Sequence, residues 1–331
     1  MTNKIFYLFL ILLAICNFYG CDRIAGRNTS VEPIHINRFD KDLFQLISQD
    51  TPELQGKIAA DYPEILGVIG LGVFDVKDTQ QPGFFDRLVN YYAEPTINKL
   101  YRDAIKQYDE IKIVEADLGV GFQYLKTNFP SMQIPAVYMH VSGLLQNTLV
   151  DDSLLSISID RYLGLDYPLY KDFFHDYQIQ KMIPERIVPD YLKAWLLSEY
   201  PFNGNSRTLL DRMIYEGKIR YILHKALPKL LPETLMGYTS VEYQWCKQNE
   251  KTVWRTVIER NHLYTSDAAT TASYFSDRPS GFISNEAPGD LGSWIGFQIV
   301  TKYMDRTKAA IEDLMNTADY QAILTKSRYK P

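Results

Sequence analysis

Cysteine is scarce. Cys16, Cys21 and Cys246 are the only three in 331 residues. The first two sit within or just after an N-terminal apolar run. Cys246 alone remains for the body of the chain, which excludes an intramolecular disulfide framework. No histidine is near it in WCKQNE, so it reads as a small buried hydrophobe and not as a nucleophile. Histidine is sparse too: residues 35, 140, 175, 224 and 262, with no two spaced three to five apart. A zinc helix of the HExxH type is therefore excluded. His140, in a β-rich run, and His224, in a helical one, read as structural residues. A G-x-S-x-G nucleophile elbow is missing. GLGVF and GVGF are too short and too apolar in context to cradle phosphates. The acids of DVKDTQQPGFFD lack the spacing and central glycine of a calcium loop. Adjacent Asp151 and Asp152 read as a solvated turn. Basic excess is absent as well: 35 Lys and Arg against 40 Asp and Glu give a net charge of -5. That balance argues against a nucleic-acid partner.

What is present begins with an export signal. Lys4 precedes the uncharged run IFYLFLILLAICNFY (Ile5 to Tyr19), shorter than the roughly 20 residues a membrane-spanning helix needs. It reads as a signal peptide over residues 1–20. In NFYGC a small residue stands just before Cys21, the arrangement that lets a lipoprotein signal peptidase free this cysteine as the lipid acceptor. A cleaved, unlipidated export signal is the alternative. Cys16 is the poorer acceptor, because bulky Ile15 precedes it. Residues 21–33 are polar and aperiodic and read as a tether. Residues 34–331 read as one α-rich domain, without repeats, low-complexity segments or a mid-chain linker.

Within that domain, helical spacing starts at HINRFDKDLFQLI, where Phe39, Leu43, Phe44 and Ile47 share a face. PGFFDRLVNYYAEP, PTINKLYRDAIKQY and DLGVGFQYLKTNFP predict three more helices, with Pro82, Pro95 and Pro130 as boundaries. PAVYMHVSG (135–143) is β-rich. Leu155, Ile157 and Ile159 alternate with small polar residues as a half-buried strand, so the two runs predict a hairpin or a pair in a small sheet. Beyond them the chain reads as helical almost to its end, with Pro189 at a helix N-terminus. The glycines of GDLGSWIGFQIV predict close helix packing against Trp294 and Phe297. The 24 tyrosines read as amphipathic packing with the hydroxyl wet, or as the lining of a sugar or peptide groove.

LLDRMIYEGKIRYILHKAL places Glu216 and Gly217 inside a strong helical pattern, where glycine costs about 1 kcal/mol relative to alanine. Glu216 is either an exposed charge or the last ligand of a metal site, with the glycine admitting another element.

RFDKDLF, SISIDRYLGLDYPLY, YEGKIRYIL and EAPGDLGSWIGFQIVTKYM occur in this order behind the lipoprotein signal. Together they resemble the gliding-motility lipoprotein GldB family of Bacteroidetes, over most of the mature chain. The resemblance implies a basic residue near Asp290 in the PG-x-x-G turn, and the local sequence supplies none. The same arrangement is similar to zincin-type metallopeptidases. SISIDRYLG would be the edge strand, MIPERIVPDYLKAWLL the metal helix and YEGKIRYIL the helix of the third ligand. Arg186 and Asp190, four apart, and Glu216 then mark degenerate metal-site positions, since a guanidinium keeps its proton and cannot ligate zinc. An Arg186–Glu216 ion pair, completed by Asp190 or Tyr221, is the expected replacement.

The sequence thus predicts a predominantly α-helical α+β fold, with zincin-like helices and one small β-sheet. The expected protein is non-catalytic, without metal or cofactor, and lipid-anchored in the bacterial cell envelope. Its expected contacts are the membrane, through the N-terminal lipid, and other envelope proteins. The alternatives are a zincin-like hydrolase with an atypical site and a surface glycan- or peptide-binding lipoprotein.

Overall fold

Prolines and left-handed residues punctuate the N-terminal half into short helices. α1 (Phe39–Gln49) stops at Asp50, whose φ is 40°. α2 (Pro52–Asp61) opens on a proline and is capped by the Thr51 side chain, which accepts from Leu54 N. α3 (Pro63–Phe74) stops at left-handed Asp75. α4 (Phe84–Ala93) starts after left-handed Gly83, slightly later than Pro82 predicted. α5 (Pro95–Gln107) starts at its proline, as the sequence predicted. Proline suits the first helical position because that N–H has no intrahelical partner anyway. α6 (Lys112–Asn128) begins earlier than DLGVGF implied. The computed structural model describes residues 31–202 and 207–331. Residues 1–20, which read as a signal peptide, and Cys21 lie outside the described residues. The unit containing the fold runs from Glu32 to Pro331.

Four strands form one sheet: β1 (Ile36–Asn37), β2 (Ala136–His140), β3 (Thr148–Asp151) and β4 (Leu154–Ser158), in the order β1-β2-β4-β3. β1 and β4 run parallel to β2, and β3 runs antiparallel to β4. The two β-rich runs therefore pair, but as parallel neighbours. The hairpin lies within the second run, turning at Asp152 and Ser153, and Asp151 and Asp152 are exposed there. Two expectations are corrected. β4 is an inner strand buried along its whole length, not half-buried, because α3 and a later helix, Ile187–Glu199, pack against it. SISIDRYLG is consequently not an edge strand; β1 and β3 are the edges.

The C-terminal half is helical: α7 (Tyr170–Phe173), α8 (Asp176–Ile179), α9 (Ile187–Glu199), α10 (Leu209–Ala226), α11 (Pro232–Met236), α12 (Ser240–Glu259), α13 (Ala268–Phe275), α14 (Leu291–Thr307), α15 (Ile311–Asn316) and α16 (Tyr320–Ser327). The chain is predominantly helical with one small mixed sheet, as the sequence predicted. Among the described residues no helix is long and apolar enough to cross a membrane.

α10 is the central element. From Leu209 to Leu223 every residue except Arg212 is buried. A capping box between Thr208 and Asp211 starts it. It packs on α6, α9, α14 and α16. Its closest neighbour is α14, where Gly217 faces Gly296: a Cβ on Gly217 would run into the carbonyl group of Gly296, and one on Gly296 into the carbonyl of Met213. The glycine in YEGKI is there to let a second helix come close. Gly296 meets backbone, where the sequence predicted packing against Trp294 and Phe297.

The tyrosines also depart from expectation. Many are fully buried with dry hydroxyls. Tyr101 donates to Asp40 O at 2.9 Å, Tyr170 to Asp160 O at 2.6 Å, Tyr238 to Gly289 O at 3.0 Å, and Tyr92 to Val141 O at 2.5 Å. Each phenol finds a carbonyl on a distant segment, so the polar tip is satisfied without water. Cys246 is buried as expected, and burial pushes its thiol up to about 12.

Candidate functional site

A cavity of about 430 Å³ opens between β3, α9, α10 and the segment joining α13 to α14. β3 and the residue before it supply Thr148 and Asn147. The turn after β4 supplies Arg161 and Tyr162. The stretch before α9 supplies Gln178, Lys181 and Met182. Arg186, Asp190, Lys193, Ala194 and Leu197 come from α9 and its N-cap, and Arg212, Glu216 and Arg220 from α10. Met236, Phe275, Asp277 and Asp290 complete the wall. Arg186, Asp190 and Glu216 thus line one cavity. Arg186 is the N-cap of α9 and Pro189 falls in its first turn, where a missing N–H is tolerated.

The pairing differs from expectation. Arg186 does not pair with Glu216. Its Nη2 donates to Asp190 Oδ1 at 2.6 Å, and its Nη1 donates to the carbonyls of Thr234 and Leu235 at 2.8 and 3.0 Å. Tyr162 OH donates to the second Asp190 oxygen at 2.9 Å. Glu216 takes both its partners from its own helix, one turn to either side. Arg212 Nη2 lies 2.9 Å from Oε1, and Arg220 Nη1 lies 3.2 Å from Oε2. Arg220 Nη2 reaches Asp290 Oδ2 at 2.8 Å. Tyr221 takes no part in this network.

Glu216 is 6% exposed, so it is not a surface acid. Burial alone pushes its carboxyl up, but the charges of Arg220, Lys193 and Arg212 outweigh that and hold it below the ordinary value. Burial likewise opposes the charge on Arg220, and the carboxylates of Asp290 and Glu216 more than restore it. A buried carboxylate without such partners would be costly.

Asp290 is held in the left-handed region, with φ 53°, at the start of α14. Aspartate tolerates that region better than most residues. Its N–H donates to Ser276 O at 2.8 Å, and Ser293 Oγ donates to its Oδ1 at 2.6 Å. Gly289 beside it leaves no room for a Cβ against the backbone of Ser276 and Asp277. The basic residue missing near Asp290 in sequence is supplied in space by Arg220. Three of the blocks that carry the family resemblance therefore meet here: Arg161 and Tyr162, Glu216 and Arg220, and Asp290.

The family model described as gliding motility protein GldB matches residues 23–331. The chain belongs to the GldB family. No curated protein and no solved structure matches it. Membership fits a gliding-motility lipoprotein and leaves the chemistry of the cavity to be judged on its residues. Among the described residues no group of three or more His, Cys, Asp or Glu side chains is placed to hold a metal ion. His140 does not line the cavity. It is buried in β2, and its Nδ1 is 2.7 Å from Ser156 Oγ. His224 lies edge-on to the Phe297 ring.

Sequence reasoning missed Arg161, Lys193, Arg212, Arg220 and Asp290 as members of the site. Arg212, Glu216 and Arg220 follow one another at four-residue spacing, so they share a helix face. That signal was available. The contact of Arg220 with Asp290, seventy positions away, was not.

Proposed function

We propose that this GldB-family chain is a non-catalytic, lipid-anchored component of the cell envelope, serving the gliding-motility machinery. It is held to the membrane through Cys21 and works by contact with other envelope proteins. Cys21 lies outside the described residues, so the anchor rests on NFYGC and on the family.

One observation carries the non-catalytic reading: three of the cavity's four carboxylates, Asp190, Glu216 and Asp290, are already occupied by guanidinium groups. Both oxygens of Glu216 and one of Asp190 are taken by arginines. A guanidinium offers donors only and does not lose its proton, so it cannot join them as a metal ligand. In a zincin-like ancestor the Glu216 position would face a metal. Here the same position faces Arg212 and Arg220. This supports a degenerate site in which ion pairs fill the place of a metal, with the Arg220–Asp290 pair joining α10 to the start of α14.

Elemental analysis of the full chain, purified in detergent, tests the reading. The expected outcome is zinc well below one equivalent and no chelator-sensitive peptide hydrolysis. One equivalent of zinc, lost to chelator together with a hydrolytic activity, would overturn it in favour of an atypical hydrolase.

A further inference from the structure

The charges around the cavity do not cancel. Six cationic side chains line it against four carboxylates, in a chain whose net charge is -5. All four carboxylates are engaged: Asp190, Glu216 and Asp290 as described, and Asp277 with Lys181 at 2.5 Å. Two cations are left over. Lys193, partly buried on α9, has no hydrogen bond or ion pair among the described residues. Arg161 makes no ion-pair contact, although the buried carboxyl of neighbouring Asp160 favours its charge; its Nη1 donates to Leu144 O at 3.0 Å and its guanidinium lies over the Phe174 ring.

Both leftover cations belong to residues that line this cavity. The cavity has the size of a small-molecule site, and the exposed side chains of Asp277 and Arg212 mark its mouth.

We propose that this cavity binds a phosphate-class dianion, with Lys193 and Arg161 supplying the charge that pairs with it. The charge count separates the ligand classes. A phosphate monoester carries about -1.5 to -2 at neutral pH and matches two free cations, whereas a single carboxylate leaves one uncompensated. The inference does not depend on the non-catalytic reading above.

Lys193 also gives the site a pH signature. It is faced by Arg220 and Glu216 of α10, by Asp290 at the start of α14 and by Asp190 of its own helix. The charge of Arg220, then burial, pushes it down to about 8. Phosphate gains its second charge near pH 6, and Lys193 loses its own above about 8. Affinity should therefore peak between these values and fall on the alkaline side.

The test is calorimetric titration of the full chain in detergent with inorganic phosphate, glycerol 3-phosphate and acetate at low ionic strength. Saturable one-to-one binding of inorganic phosphate is expected, with acetate at least tenfold weaker. Binding of glycerol 3-phosphate as well would extend the ligand to monoesters, and its failure would restrict it to the free ion; either supports the proposal. Lys193→Gln and Arg161→Gln should each weaken phosphate binding about tenfold or more. Lys57→Gln, on exposed α2, should leave it unchanged. Arg161 also holds Leu144 and Phe174, so Lys193→Gln decides if the arginine variant does not fold. Lys193→Arg should restore binding to within a few-fold. No saturable phosphate binding, acetate binding as tightly, or full affinity in Lys193→Gln would each overturn the proposal.

Discussion

Gly217 and Gly296 bring the backbones of α10 and α14 into direct contact, with no room for a Cβ on either side. The neighbour in each case is backbone, which cannot rotate away as a side chain can. Alanine would gain about 1 kcal/mol in helix propensity and lose more to overpacking, which typically costs about 1–3 kcal/mol and sometimes exceeds it. Gly217→Ala and Gly296→Ala should each destabilise, by up to about 2 kcal/mol net on those figures, read from the denaturant midpoint. Unchanged stability would mean that the helices sit farther apart.

The ion pairs predict a pattern of coupling. Arg220→Ala strips buried Asp290 of its cation, which costs about 3–5 kcal/mol, whereas Glu216→Ala leaves Arg220 paired with Asp290 and should cost less. The double variant should cost less than the sum, because the two residues share a pair. Arg186 belongs to the Asp190 pair, so Glu216→Ala and Arg186→Ala should be close to additive. Strong coupling in the second cycle would restore the Arg186–Glu216 pairing that the sequence implied.

His140 predicts an acid sensitivity. Burial pushes its imidazole down from 6.5 to about 3, so the folded chain holds it neutral while the unfolded chain protonates it. Stability is then fully present above pH 6.5 and declines as pH falls toward 3. The contribution is on the order of a few kcal/mol. His140→Asn, which keeps a hydrogen-bonding group for Ser156, should flatten the stability–pH curve across that window. An unchanged slope would show that His140 is solvated.

Anchoring is tested separately. Cys21→Ala should release the chain from membranes and abolish palmitate incorporation, while Cys16→Ala should do neither. A single acyl chain binds membranes only reversibly, so stable retention of the wild type implies multiple acylation. Label that persists in Cys21→Ala would refute the lipid site.

The fold was legible where one face of a helix is apolar. The repeat of Phe39, Leu43 and Ile47 located α1, and Pro95 located α5. It was less legible where an element is buried all round. β4 read as half-buried because its alternating residues are serines, yet Ser156 and Ser158 are interior: each hydroxyl is satisfied, by His140 and by Ser142 respectively. α10 posed the same problem. Its buried face includes Glu216, Lys218 and Arg220, charges that read as surface until their partners are placed. Lys218, for instance, donates to the carbonyls of Met315 and Thr317, nearly a hundred positions on. Spacing brought Arg186, Asp190 and Glu216 to one cavity, but side-chain reach decided who pairs with whom.

The dry tyrosines have a spectroscopic consequence. Burial raises the phenols of Tyr92, Tyr101, Tyr191 and Tyr238 well above their ordinary value, so they stay silent in an alkaline absorbance titration of the folded chain. Each is fastened to a carbonyl on another segment: Tyr101 to one in α1, Tyr191 to one in β2, Tyr92 to one just after β2 and Tyr238 to one at the entry to α14. When a segment opens, its phenol becomes free to ionise. The chain therefore carries a set of internal optical clocks, spread through its interior, from which the order of segmental opening can be timed without attaching a label.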